Sequence, residues 1–146
     1  MDPVQTKLWV HAILTTKNLR QLITPLVQSR LDNFLHDRFL ELGCPTRIIQ
    51  GMPEHIHILF LQNPARSISE IIKKIKSTSS FFINESHLSP QKFYWQPGYA
   101  AYGVSESQVQ KVYDYISNQH EHHEKEKFNE EYQHLLRLHG LLHVEL

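Results

Sequence analysis

Short strand-like runs alternate with helix-like segments, most helices open on a capping signal, and glycine or proline separates the pieces; together these predict an α+β fold. The order is strand, helix, strand, strand, helix, strand, helix, helix. It fits an antiparallel sheet with helices packed on one face, the ferredoxin-like (RRM-like) arrangement. The chain of 146 residues has room for one compact domain, 1–146, and none for a second. Hydrophobic residues at 40% and charged residues at 21% are globular proportions and exclude a disordered or fibrous chain.

Leu8 to Thr16 (LWVHAILTT) is apolar, aromatic and β-branched and reads as the first strand, followed by a polar turn over Lys17 to Gln21. Thr24 before Pro25 starts a helix: the hydroxyl caps, and the missing proline N–H costs nothing at the first helical position. Leu31, Phe34, Leu35, Arg38, Phe39 and Leu42 recur at spacings of three and four, and Gly43 closes the helix. Thr46 to Gly51 and His55 to Leu61 read as an antiparallel hairpin turning through Met52, Pro53 and Glu54. Ser67 with Glu70 makes a capping box for a helix to about Phe82. Phe93 to Val104 (FYWQPGYAAYGV) reads as a strand bent at Pro97 and Gly98. Ser105 with Gln108 caps a third helix that carries Val109, Val112 and Ile116, and a last helix covers Asn129 to Leu138.

Lys plus Arg and Asp plus Glu both total 15, so net charge gives no case for nucleic acid, and only the local cluster Lys73, Lys74 and Lys76 does. Cys44 alone makes no internal disulfide, the N-terminus lacks a secretory pattern, and no apolar run approaches the roughly 20 residues that span a bilayer. The expectation is a cytoplasmic protein that does not enter membranes.

His55 and His57 flank one residue of a strand, so both rings emerge on one face and can converge on one ion, while Ile56 and Ile58 point into the core. Tyr115 and Gln119 lie four apart on the third helix and share a face. Alone, each pair is more often a solvated sheet face or ordinary helix packing. The two together, some 60 residues apart, are far more specific.

These residues, with the segments GMPEHIHILF, SISEIIKKIKSTSS, FYWQPGYAAYGVS and YISNQHEHH, resemble the small single-tyrosine HUH transposases of the insertion-sequence-two-hundred and six-hundred-five type, including their repeat-associated relatives. The likeness covers nearly the whole chain. It implies that His55, His57 and Gln119 bind a divalent ion, Mg2+ or Mn2+, and that Tyr115 is the nucleophile. The implied activity is transposition: single-stranded DNA is cut and rejoined at hairpin-bearing ends through a 5′-phosphotyrosine. A homodimer is implied too. Lys73, Lys74 and Lys76 would neutralise phosphates, and Trp95, Tyr94 or Tyr99 would stack unpaired bases. Two positions depart from the family pattern: Ser117 stands where arginine is common, and Ser77, Thr78, Ser79 and Ser80 include no arginine. Both bear on DNA contacts and not on chemistry.

The competing reading is a non-catalytic ferredoxin-like module that binds single-stranded nucleic acid. A metal-sensing protein built on His120, His122 and His123 is a third.

Overall fold

The computed structural model describes residues 4–119 and 128–140. Strands β1 (Trp9–Thr15), β2 (Thr46–Met52), β3 (His55–Leu61) and β4 (Ala100–Val104) alternate with helices α1 (Pro25–Glu41), α2 (Ile68–Glu85), α3 (Val109–Ser117) and α4 (Phe128–Leu138). The sheet runs β2–β3–β1–β4 with every neighbour antiparallel, which is the ferredoxin-like order expected from the sequence. The cluster His120, His122 and His123 lies outside the described residues. Among the described residues no helix is long and apolar enough to cross a membrane.

Alternation along β1 and β3 divides the molecule. Val10, Ala12 and Leu14 of β1 and Ile56, Ile58 and Phe60 of β3 face α1 and α2, where Val27, Leu31, Leu35 and Phe39 meet Ile71, Ile72, Ile75 and Ile83. Each such side chain, once buried, contributes roughly 1.5–3 kcal/mol. The helices end where the sequence says they should: Thr24 Oγ1 accepts from Val27 N at 3.3 Å, and Gly43 takes φ +73°, with the Asn63 side chain 2.7 Å from where a Cβ would stand.

The opposite face is covered as well. Ile13, Leu59 and Val104 pack under Val109, Val112, Tyr115 and Ile116, and Leu135 of α4 joins them. So α1 and α2 occupy one face as expected, and α3 and α4 add a second layer. That layer decides the environment of the β3 histidines. The register places Thr15 opposite His55 and Ile13 opposite His57, on the face that α3 and α4 close.

Three local expectations change. The segment from Phe93 to Val104 is a strand only from Ala100; earlier it touches the end of β1 and the turn after it through Gln96 N–Thr15 O, Lys17 N–Tyr94 O and a single Thr16–Trp95 bridge, and Gly98 at φ +85° turns it away. Ser105 makes no side-chain cap; a 3-10 turn, Glu106–Gln108, leads into α3 instead. At α2 only the forward half of the capping box forms, Glu70 N donating to Ser67 Oγ at 3.1 Å, because the Glu70 carboxylate pairs with Arg66 at 2.7 Å.

Candidate metal centre and tyrosine site

His55 and His57 are fully buried, and their Nε2 atoms converge on a single oxygen, Oε1 of Glu131 on α4, at 3.0 and 2.9 Å. His55, His57 and Glu131 form a group that can hold a metal ion, their ligand atoms all within 4.8 Å of one another. The other ring nitrogens are also engaged. His55 Nδ1 lies 3.0 Å from Oε1 of Glu54, and His57 Nδ1 lies 2.9 Å from Nε2 of His11.

Burial opposes charge on His55, but hydrogen bonds to Glu131 and Glu54 outweigh it and raise its pKa above the ordinary value. For His57 burial prevails and brings the pKa down to about 4. Burial alone would raise Glu131; hydrogen bonds from His55 and His57 overcome it and hold the carboxyl at about 2. An ionised carboxylate beside one neutral imidazole and one easily charged imidazole is a donor set ready for a cation.

Tyr115 sits on the same side. It is 8% exposed, with its ring centroid 6.0 Å from that of His57 and 5.3 Å from that of His134. Tyr113 points elsewhere: the Arg47 guanidinium lies 5.2 Å from its ring centroid, in a separate cleft with Trp9 and Pro45. Gln119, just past the end of α3, is fully buried, donates weakly from Nε2 to Tyr115 O at 3.4 Å, and its side chain reaches His57, where it favours the charged ring. Its Oε1 makes no close hydrogen bond among the described residues, which suits a cation ligand.

Sequence reasoning thus named His55, His57, Tyr115 and Gln119, which the fold gathers, and missed Glu131, His11 and Glu54. Glu131 belongs to no local pattern with the histidines, and only the return of α4 over the sheet brings it near β3. His11 could have been found by placing β1 beside β3.

The basic patch is divided. Lys73, Lys76, Tyr94, Trp95 and Tyr99 line one groove, beside Gly98. Lys76 Nζ donates to Gln96 O at 2.7 Å and Gly98 O at 2.8 Å, so it tethers the aromatic segment. Lys74 lies 3.7 Å from Glu70 and is not among the groove's lining residues. Trp95 is 8% exposed and donates its indole N–H to Ser79 Oγ at 2.9 Å, which makes it the groove's wall, while Tyr94 and Tyr99 are exposed.

The family model described as "Transposase IS200 like" matches residues 4–119. The chain is 27% identical over 116 residues to the ISDra2 transposase TnpA of Deinococcus radiodurans, a match spanning 76% of this chain and 83% of that protein. A crystal structure of a candidate transposase from the same organism superposes with a TM-score of 0.62 at 27% identity, covering 82% of this chain and 98% of that one. A REP-associated tyrosine transposase bound to a REP hairpin shares the fold at a TM-score of 0.59 and 16% identity, covering 84% of this chain and 74% of that one. Fold and family together define a DNA-processing enzyme of the transposase class. Within that class the chain belongs to the IS200-like transposase family.

The imidazole cluster has a consequence for stability. His11, His57 and His139 are all held below the ordinary histidine value of 6.5, with burial the largest cause for each, His57 and His139 at about 4. The unfolded chain therefore binds more protons than the folded one between about pH 6.5 and 4, and stability falls as pH falls through that window. His55 works in the opposite direction, three groups against one; the contribution of Glu131 stays whole until pH drops below its ordinary 4.5. With chelator present, the urea midpoint at about pH 5 should lie below that at about pH 7.5. An equal or higher midpoint at the lower pH would contradict the neutral cluster.

Proposed function

We propose that this transposase cleaves and rejoins single-stranded DNA at hairpin-bearing ends, with Tyr115 attacking and a divalent ion, Mg2+ or Mn2+, held by His55, His57, Glu131 and Gln119. The observation that carries the reading is the convergence of His55 Nε2 and His57 Nε2 on Glu131 Oε1, at 3.0 and 2.9 Å, beside the Tyr115 ring. Neighbouring ligands of an octahedral ion, each at about 2.1 Å, lie about 3.0 Å apart. The spacing admits Mg2+ or Mn2+, whose preferred donors are the oxygens of Glu131 and Gln119.

Such an ion supplies Lewis-acid stabilisation of the charge that builds on the scissile phosphate. The rest falls to the chain. Tyr115 Oη bonds to phosphorus as the bond from phosphorus to the 3′ oxygen breaks; the phenol loses its proton and the departing oxygen gains one, leaving a 3′-hydroxyl. The 5′-phosphotyrosine keeps the energy of the broken bond, so rejoining needs no ATP. His55, His57 and Gln119 are fully buried and Tyr115 nearly so, with Glu131 of α4 against the histidines.

For substrate, the hairpin held by the structurally similar REP-associated protein and the groove of Lys73, Tyr94 and Tyr99 support hairpin DNA with unpaired bases. The direct test incubates the chain with single-stranded hairpin DNA and Mg2+, then repeats with excess EDTA. Cleavage should occur in the first and vanish in the second, while gel-shift affinity for the hairpin persists and exceeds that for random duplex. Undiminished cleavage in EDTA would refute the metal role. Binding with no cleavage under any condition would favour the non-catalytic module.

A homodimer belongs to the same proposal, since β4 is an edge of the sheet and its outward backbone groups can pair with a second copy. Light scattering at micromolar concentration should give twice the chain mass; a monomer mass would count against it. A cytoplasmic location is proposed on the same footing.

A further inference from the structure

We propose that His11 is a positioning residue for the loaded centre: it accepts from His57 Nδ1–H and so steadies the ring and the tautomer in which His57 Nε2 gives its lone pair to the metal. This rests on the metal reading above and adds a residue to it. His11 stands in mid-β1, two residues before Ile13, which lies opposite His57, so it shares the same face of the sheet, and it is fully buried. Its Nε2 lies 2.9 Å from His57 Nδ1, and its Nδ1 lies 2.8 Å from His139 Nε2. The ring centroids are 5.1 and 5.0 Å from those neighbours. At the outer end the His139 ring stacks on Tyr102, centroids 4.2 Å apart.

A neutral imidazole carries one N–H and one lone pair, so a ring bonded at both nitrogens must donate at one and accept at the other. Once His57 Nε2 gives its lone pair to a cation, the His57 proton sits on Nδ1 and points at His11. His11 then accepts at Nε2, carries its own proton on Nδ1 and donates it to His139. With a cation on His57 Nε2 only this order satisfies all three rings; in the metal-free chain Nε2–H donates to the ionised Glu131 and the order runs the other way. His55 has a corresponding support in Glu54, 3.0 Å from its Nδ1, but that support is a carboxylate. His11 orients the second ligand without adding charge. Outer partners of metal-bound histidines commonly fix tautomer and ring orientation in this way.

The test uses the whole chain in two measurements. Side-chain 15N NMR of the Mg2+-loaded wild type should show coupling across the hydrogen bond from His57 Nδ1–H to His11 Nε2. Calorimetric titration with Mn2+ should show His11→Phe binding about 10–100-fold more weakly than wild type. His11→Gln, whose amide oxygen can accept from Nδ1–H, should recover most of the loss. A loaded His57 with no coupling to His11, or His11→Phe binding Mn2+ as tightly as wild type, would overturn the inference and leave the metal reading standing. A wild type that binds neither ion would overturn both. If His11→Phe does not fold, the wild-type NMR reading decides alone.

Discussion

Tyr115→Phe is expected to abolish strand cleavage and the covalent protein–DNA band while leaving the fold and hairpin binding intact. The substitution removes one oxygen and keeps the ring, whose centroid lies 6.0 Å from His57 and 5.3 Å from His134, so packing under α4 survives. Loss of a nucleophile that forms a covalent intermediate costs about four orders of magnitude or more in rate. Tyr113→Phe is the matched control. Two residues on a helix differ by about 200° in direction, and Tyr113 lies in the Arg47 cleft, away from the histidines. It should cleave at close to the wild-type rate in a denaturing-gel assay. A covalent band from Tyr115→Phe would mean that another group attacks.

Glu131→Ala has the second largest expected effect. The carboxylate oxygen meets both histidines, so its removal takes away the negative charge that a divalent ion needs and leaves two buried imidazoles facing a void. Mn2+ affinity should fall by about 100-fold or more, and cleavage with it at limiting metal. Glu131→Gln retains an oxygen donor and should lie between. Unchanged or tighter Mn2+ binding by Glu131→Ala would show that the carboxylate only covers the site in the metal-free chain.

How far the sequence could be read depended on how local the signal was. Thr24–Pro25, Gly43 and the three-and-four spacing of α1 act within a few turns, and the helix formed where they put it. The His-x-His pair and the Tyr115–Gln119 spacing are likewise local, and both reached one place. The segment from Phe93 is a full strand only from Ala100 because aromatic content alone does not make a strand: Lys76 takes the carbonyls of Gln96 and Gly98 that a strand would pair. Glu131 and His11 were not legible for a different reason. Each meets the centre through a contact 74 or 46 residues away in sequence, and no pattern short of the assembled sheet and α4 announces it. The neutral formal charge likewise concealed a groove that collects Lys73 with exposed tyrosines on one side of α2.

The central claim, that Tyr115 attacks a phosphate at a histidine-held metal, is tested most directly by mapping the covalent adduct. The chain is incubated with a single-stranded hairpin oligonucleotide, with Mg2+ or with EDTA, then digested with protease and nuclease and sequenced by mass spectrometry. The account predicts a 5′-phosphonucleotide on the peptide containing Tyr115, located on that residue, with Mg2+ and none with EDTA. An adduct on Tyr113 or any other residue, or an equal yield in EDTA, would contradict it.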